Sequence, residues 1–215
     1  MAKTESSFLN MLIVLTSITV IIGALLGYVN QITEGPIKLA EKAKQEKAIK
    51  KVAPHYNNDP IAEKYERVLN AGTKDSLTIT IFPAKENGKP IGAAVETQTN
   101  NGFSGNIKVM VGFDNDGKII NYMVLNHSET PGLGSKMEKW FKDENGNRSI
   151  IGKNAKGLKV KKDGGNIDAI TAATISSRAF LDAIENGYNA FMNKTDAQSG
   201  ASPKWNENKE GGKNE

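Results

Sequence analysis

From Phe8 to Val29 the chain carries no charge and is apolar at most positions. As helix, these roughly 22 residues reach about 33 Å, enough to cross the hydrocarbon core of a bilayer. A secretory signal peptide is the rival reading, but its apolar region is shorter and ends at a small-residue cleavage site. This run closes instead with Gly27-Tyr28-Val29-Asn30, so residues 1–30 are read as an uncleaved N-terminal membrane anchor. Lys38, Lys42, Lys44 and Lys47 follow the segment while only Lys3 precedes it. Positive-inside counting of those lysines favours a cytoplasmic C-terminal domain.

With 215 residues, the chain holds this anchor and about one domain. Residues 31–60 read as a helical stalk or linker. Glu34 to Val52 is charged but places Ile37, Ala40, Ala43, Ala48 and Ile49 at helical spacing, and Pro54 to Pro60 breaks the pattern. Ile61 to Leu69 is expected as a short helix. Leu77 to Phe82 alternates with period two, Glu86-Asn87-Gly88-Lys89 turns, and Ile91 to Thr97 returns as a strand. Ile107 to Phe113 and Lys118 to Leu125 flank Asp114-Asn115-Asp116-Gly117, a hairpin signal. Ser135 to Lys142 reads as a short helix, with Trp140 and Phe141 packing on the sheet, and Gly157 to Lys162 as a strand. The last 21 residues, 195–215, are polar and predicted to be disordered. The fold class is therefore α+β, an antiparallel sheet with packed helices over residues 61–194, preceded by a single transmembrane helix.

Composition removes several function classes. The formal net charge is only +4, and lysines alternate with acids rather than forming a patch interleaved with aromatics, so no nucleic-acid partner is expected. There is no cysteine, which excludes disulfides and cysteine-ligated iron–sulfur centres in this chain. Two histidines, His55 and His127, are too few for a histidine-built metal site. No acid–base or nucleophile–base pair is evident, and no catalytic residue is assigned.

The segment Asp168-Ala-Ile-Thr-Ala-Ala-Thr174-Ile-Ser-Ser177 holds the strongest functional signal. It closes a short apolar run, gives a hydroxyl, two tiny side chains and a second hydroxyl, then starts a helical pattern. Ile175, Ala179, Phe180, Ala183, Ile184, Tyr188 and Phe191 recur at amphipathic spacing. Thr174 or Ser176 is the expected N-cap. A helix start of this kind offers free N–H groups and the positive end of the dipole, and Ala172 and Ala173 leave room for a phosphate. An ordinary capped helix would show the same pattern.

The block resembles the flavinylation motif of the FMN-binding domain family, which runs Asp, two variable residues, Ser or Thr, Gly, Ala, Thr. Asp168, Thr171, Ala173 and Thr174 match, and Ala172 stands where glycine is usual. If that position requires φ > 0, alanine there costs about 1 kcal/mol or more. Gly102-Phe103-Ser104-Gly105, with Ile107 and Val111-Gly112 behind it, is similar to the start of the family's sheet. His127-Ser-Glu-Thr-Pro-Gly-Leu-Gly134 is similar to its flavin-facing loop. The likeness spans about Ile91 to Phe191. It is nearest to the branch serving Rnf-type ion-translocating electron-transport complexes, with the counterpart from sodium-pumping NADH:quinone reductases as a near relative.

The resemblance implies FMN joined through its phosphate to the hydroxyl of Thr174. It also implies Glu129, Thr130 and Leu133 as ring contacts, Lys162 as a phosphate or ring-edge partner, and Thr171 and Ser176 within the cofactor site. The implied partners are other membrane, iron–sulfur and flavin subunits, with a separate flavin transferase for maturation. It places the domain on the extracytoplasmic side of the cell membrane, against the lysine count. The implied role is an electron carrier; the reading from a different class is an anchored extracytoplasmic binding or sensor module without redox turnover.

Overall fold

The structure, a computed structural model, describes residues 8–73 and 76–192. The tail expected over residues 195–215 lies outside the described residues. The chain divides into two compact units, one ending at Lys44 and one beginning at Gln45, so the division falls inside the stretch expected as a stalk. Helix α1 is Phe8–Val52 and contains both the apolar run and the charged stretch in one helical element. Its apolar window is exposed throughout, and it is long and apolar enough to span a membrane.

The second unit is built on a five-stranded antiparallel sheet in the order β1-β2-β3-β4-β5. The strands are β1 (Tyr65–Leu69), β2 (Leu77–Glu86), β3 (Lys89–Gly102), β4 (Gly105–Asp114) and β5 (Ile119–His127). From β2 onward each strand follows its neighbour through a short turn of two to four residues. Asn87 and Gly88 both take positive φ, 51° and 77°, the geometry whose twist suits a two-residue hairpin loop. At the β4–β5 turn, the Asp114 carboxylate accepts the N–H groups of Asp116 and Lys118 at 2.9 and 2.8 Å. Gly117 supplies the positive φ there.

Because side chains alternate across a strand, the sheet has two different faces. Ile81, Val95, Val111 and Tyr122 stand in register on one face and belong to the larger hydrophobic cluster. That face is covered by α3 (Thr174–Phe191), whose Phe180 stacks on Phe141 at 4.7 Å and meets Tyr122 edge-on at 4.9 Å. Phe82, Ala94 and Met110 face the other way and pack with Ala48, Ile49 and Val52 from the end of α1. Contact there is close. A Cβ at Gly112 would fall on the Val52 carbonyl, so only glycine admits the helix end at this point.

Two expected elements differ. The stretch Ile61 to Leu69 is not a helix: residues 61–63 form a turn, in which the Asp59 carboxylate accepts the Ile61 and Ala62 N–H groups. Tyr65 onward pairs with β2, from Tyr65↔Ile81 to Leu69↔Leu77. Over nine residues the apolar period does not separate helix from strand, and the open edge of β2 decides. Gly157 to Lys162 is not a ladder strand either. Val160 makes one isolated parallel bridge to Ile167, and Lys161–Asp163 is a 3-10 turn ended by Gly164 at φ 81°. The chain reverses before a second pair can form. The helix expected over Ser135 to Lys142 is present in a shorter form, a 3-10 turn Gly134–Lys136 leading into α2 (Met137–Trp140).

Candidate functional site

The site is built around the start of α3. Its N-cap residue is Ala173, which has no side chain able to cap, and no side-chain cap bond is made. The expected cap by Thr174 or Ser176 is therefore corrected: both lie inside the first turn. Ser177 reaches back instead. Its hydroxyl donates to the Ala173 carbonyl and accepts the Ile170 N–H, both at 2.9 Å, holding the turn that precedes the helix. Ala172 stands in that turn at φ 60°, the left-handed region that costs a residue with a Cβ about 1–2 kcal/mol. The position does take φ > 0, the conformation that favours glycine. No protein group among the described residues takes up the half-buried Thr174 hydroxyl.

Three segments meet beside this helix start. The Gly102–Gly105 turn between β3 and β4, the loop after β5 from Glu129 to Gly134, and residues 172–176 enclose a cavity of about 320 Å³. That volume is at the lower end of small-molecule pockets, suited to a ring system rather than a whole dinucleotide. Phe103, Glu129, Thr130, Leu133, Thr174, Ile175 and Ser176 are among its lining residues. Phe103, Leu133 and Ile175 are 67%, 39% and 49% exposed, so its rim is apolar although it faces solvent. Glu129, by contrast, is buried. One carboxylate oxygen accepts the Ser104 N–H at 3.0 Å and the other accepts the Ser176 hydroxyl.

Five residues singled out from the sequence, Glu129, Thr130, Leu133, Thr174 and Ser176, thus come together in one cavity. Thr171 and Lys162 are exposed and do not line it. Lys162 sits in the Lys161–Asp163 turn, which is tied to the first turn of α3 by a two-pronged pair. Arg178 donates to both carboxylate oxygens of Asp163, at 2.7 and 2.5 Å. This bond raises the Arg178 pKa further.

Asp168 also stands away from the cavity and has a bracing role. Its carboxylate pairs with Lys161 at 2.7 Å and accepts the Asn147 N–H at 2.8 Å. Its carbonyl accepts the Trp140 indole N–H at 2.8 Å. The Lys161 bond, then the Asn147 N–H, hold the Asp168 carboxyl below the usual carboxylate range.

Phe103 and Ile175 also line the cavity, although the sequence reading does not assign them as ligand residues. Phe103 carries a usable signal, a large aromatic between glycines and serine in a turn too tight to bury it. Ile175 gives none, since it fits the apolar period of α3. A larger hollow of about 540 Å³ lies along Lys136, Lys139, Trp140 and Arg148. It contains no motif residue, and Arg148 already covers the Trp140 ring at 4.1 Å.

The second unit is thus an α+β domain with a cavity at the start of α3, lined by Thr174 and by exposed apolar side chains. Residues 102–189 match the family model described as FMN-binding domain, a span that opens at the Gly102 turn and includes α3 to Asn189. The chain is 35% identical over 164 residues to the G subunit of the ion-translocating oxidoreductase complex of Yersinia pestis, covering 74% of this chain and 78% of that protein. The protein of the same name from Pectobacterium atrosepticum is 36% identical over 168 residues, covering 75% and 79%. That from Vibrio cholerae is 33% identical over 159 residues, covering 72% and 76%. The chain belongs to the FMN-binding domain family, among the relatives of the G subunits of ion-translocating oxidoreductase complexes.

Proposed function

We propose that this chain is a membrane-anchored flavoprotein subunit. It carries FMN through a phosphoester to Thr174 and passes electrons within an ion-translocating oxidoreductase complex of the Rnf type. The observation that carries this reading is the Thr174 hydroxyl, which no protein group among the described residues takes up, in the cavity lining and in the first turn of a helix without a side-chain cap. The residues fit the group. First-turn N–H groups and the helix dipole favour a phosphate charge at that point. The exposed Phe103, Leu133 and Ile175 offer apolar surface to a planar ring. Flavin, when bound, supplies the redox chemistry, and the protein supplies attachment, orientation and electrostatics.

Each residue then has a physical task. Thr174 tethers, so the cofactor is not lost from a compartment with little free FMN. Ala172 and Ala173 keep side chains clear of the phosphate. The Ser176 and Ser177 hydroxyls donate to Glu129 and to the Ala173 carbonyl, so they shape the helix start rather than supply free donors. The domain is on the extracytoplasmic side, other subunits of the complex give and take the electrons, and a separate flavin transferase makes the bond. Support for these finer points is the motif at Asp168 to Thr174 and the likeness to named subunits of such complexes.

Thr174→Ala tests the attachment. Because Thr174 lies inside the first turn and makes no cap bond, the change should cost under about 0.5 kcal/mol of stability while abolishing covalent flavin by intact mass. Flavin retained in that variant would move the attachment to another hydroxyl. An anchored sensor module without redox turnover would lack flavin absorbance near roughly 450 nm that survives denaturation.

A further inference from the structure

Glu129 is the buried carboxylate of the cavity, 4% exposed, and no ion pair to it is formed among the described residues. Removing a carboxylate from water without a cation is costly unless hydrogen bonds take over its hydration. Both oxygens are so engaged, one by the Ser104 N–H and one by the Ser176 hydroxyl. Its own N–H is fixed on His127 Nδ1 at 3.2 Å. Room for the group is made by two glycines. A Cβ at Gly134 would lie 2.6 Å from both the carboxylate and the Ser176 oxygen, and a Cβ at Gly102 would lie 2.7 Å from the other carboxylate oxygen.

Ser104, Glu129 and Ser176 belong to the three segments that carry the walls of the cavity. We propose that Glu129 is its positioning residue: the carboxylate bolts the Gly102–Gly105 turn and the 129–134 loop to the start of α3. It thereby sets the separation of Phe103, Leu133 and Ile175. It acts through Ser104 and Ser176 and not on the ring. This rests on the flavin reading given above.

The test uses the full chain in detergent after expression with its membrane maturation system. Intact mass gives flavin content and time-resolved anisotropy gives ring mobility. Absence of covalent flavin from the unaltered chain would sink the flavin reading before any variant is compared. Given flavin, Glu129→Ala should enlarge the fast depolarisation severalfold, while Glu129→Gln should leave it near the unaltered value. The amide still accepts the Ser104 N–H and can donate to the Ser176 oxygen, although the charge is gone. Ser176→Ala removes one of the two bonds and Gly134→Ala displaces the carboxylate; each should loosen the ring even if Glu129→Ala fails to fold. Loss of modification in Glu129→Ala but not in Glu129→Gln supports the same role. A ring as immobile in Glu129→Ala as in the unaltered chain overturns it, as does equal loosening or equal loss of flavin in the Ala and Gln variants.

Discussion

Ala172 holds a backbone conformation that its side chain opposes. At φ 60° alanine bears about 1–2 kcal/mol of left-handed strain, while glycine would add about 0.4–1 kcal/mol of unfolded-chain entropy. The first effect is the larger. Ala172→Gly should therefore raise stability by roughly 0.5–1 kcal/mol, read as a later urea midpoint at unchanged slope, and should not lower the modified fraction. An earlier midpoint would mean that the Ala172 methyl makes contacts that outweigh the strain. The departure from the usual motif residue is thus a matter of local energy at one dihedral.

Among the elements, the segment before α3 depends on Asp168 and the sheet depends on Gly112. The Asp168 carboxyl is depressed by Lys161 and by the Asn147 N–H. A depressed carboxyl contributes stability above its unfolded pKa, about 3.9, and loses it as pH falls through the lower folded value. Asp168→Asn should accordingly be less stable at neutral pH, and the gap between the two proteins should begin to close as pH falls below about 4 and vanish only below the depressed folded pKa. A constant gap down the whole acid limb in thermal melts would show that the ion pair contributes nothing. Glu63 and Asp143 are held low as well, chiefly by Lys85 and by the Asn145 N–H, so the acid limb will not disappear in the single variant. Gly112→Ala places a methyl on the Val52 carbonyl, a backbone atom that cannot swing aside. Overpacking of this kind costs about 1–3 kcal/mol; a urea midpoint within error of the unaltered chain would show that the α1 end is loosely held on the sheet.

For the whole molecule, the proposed anchoring by α1 predicts that the domain stands on the extracytoplasmic side. The lysines after the span oppose the family's placement, but long domains translocate largely regardless of such charges. The chain has no cysteine, so a single introduced thiol reports cleanly. Lys156 is exposed, and Lys156→Cys should react with a membrane-impermeant maleimide in intact spheroplasts. Labelling only after lysis would put the domain in the cytoplasm and remove it from reach of an external transferase.

The local chemistry written into the chain was sufficient for the span, the two hairpins and α3. Charge-free length, Asn-Gly and Asp-Asn-Asp-Gly turns and the 3.6 period each act within a few residues. Thr174 and the Glu129 to Gly134 loop stood out in the sequence only through the resemblance to the FMN-binding domain family, since local chemistry alone reads them as a helix start and a turn-rich loop. Tertiary contact decided the rest. Tyr65 to Leu69 became a strand because β2 presented an unpaired edge, and Ser176 turned inward because a buried carboxylate distant in sequence needed a donor. Phe103 became a cavity wall because the β3–β4 turn meets the start of α3. Glu129 reads as a loop residue in the sequence, and its place at the junction of three segments exists only once the sheet has brought them together.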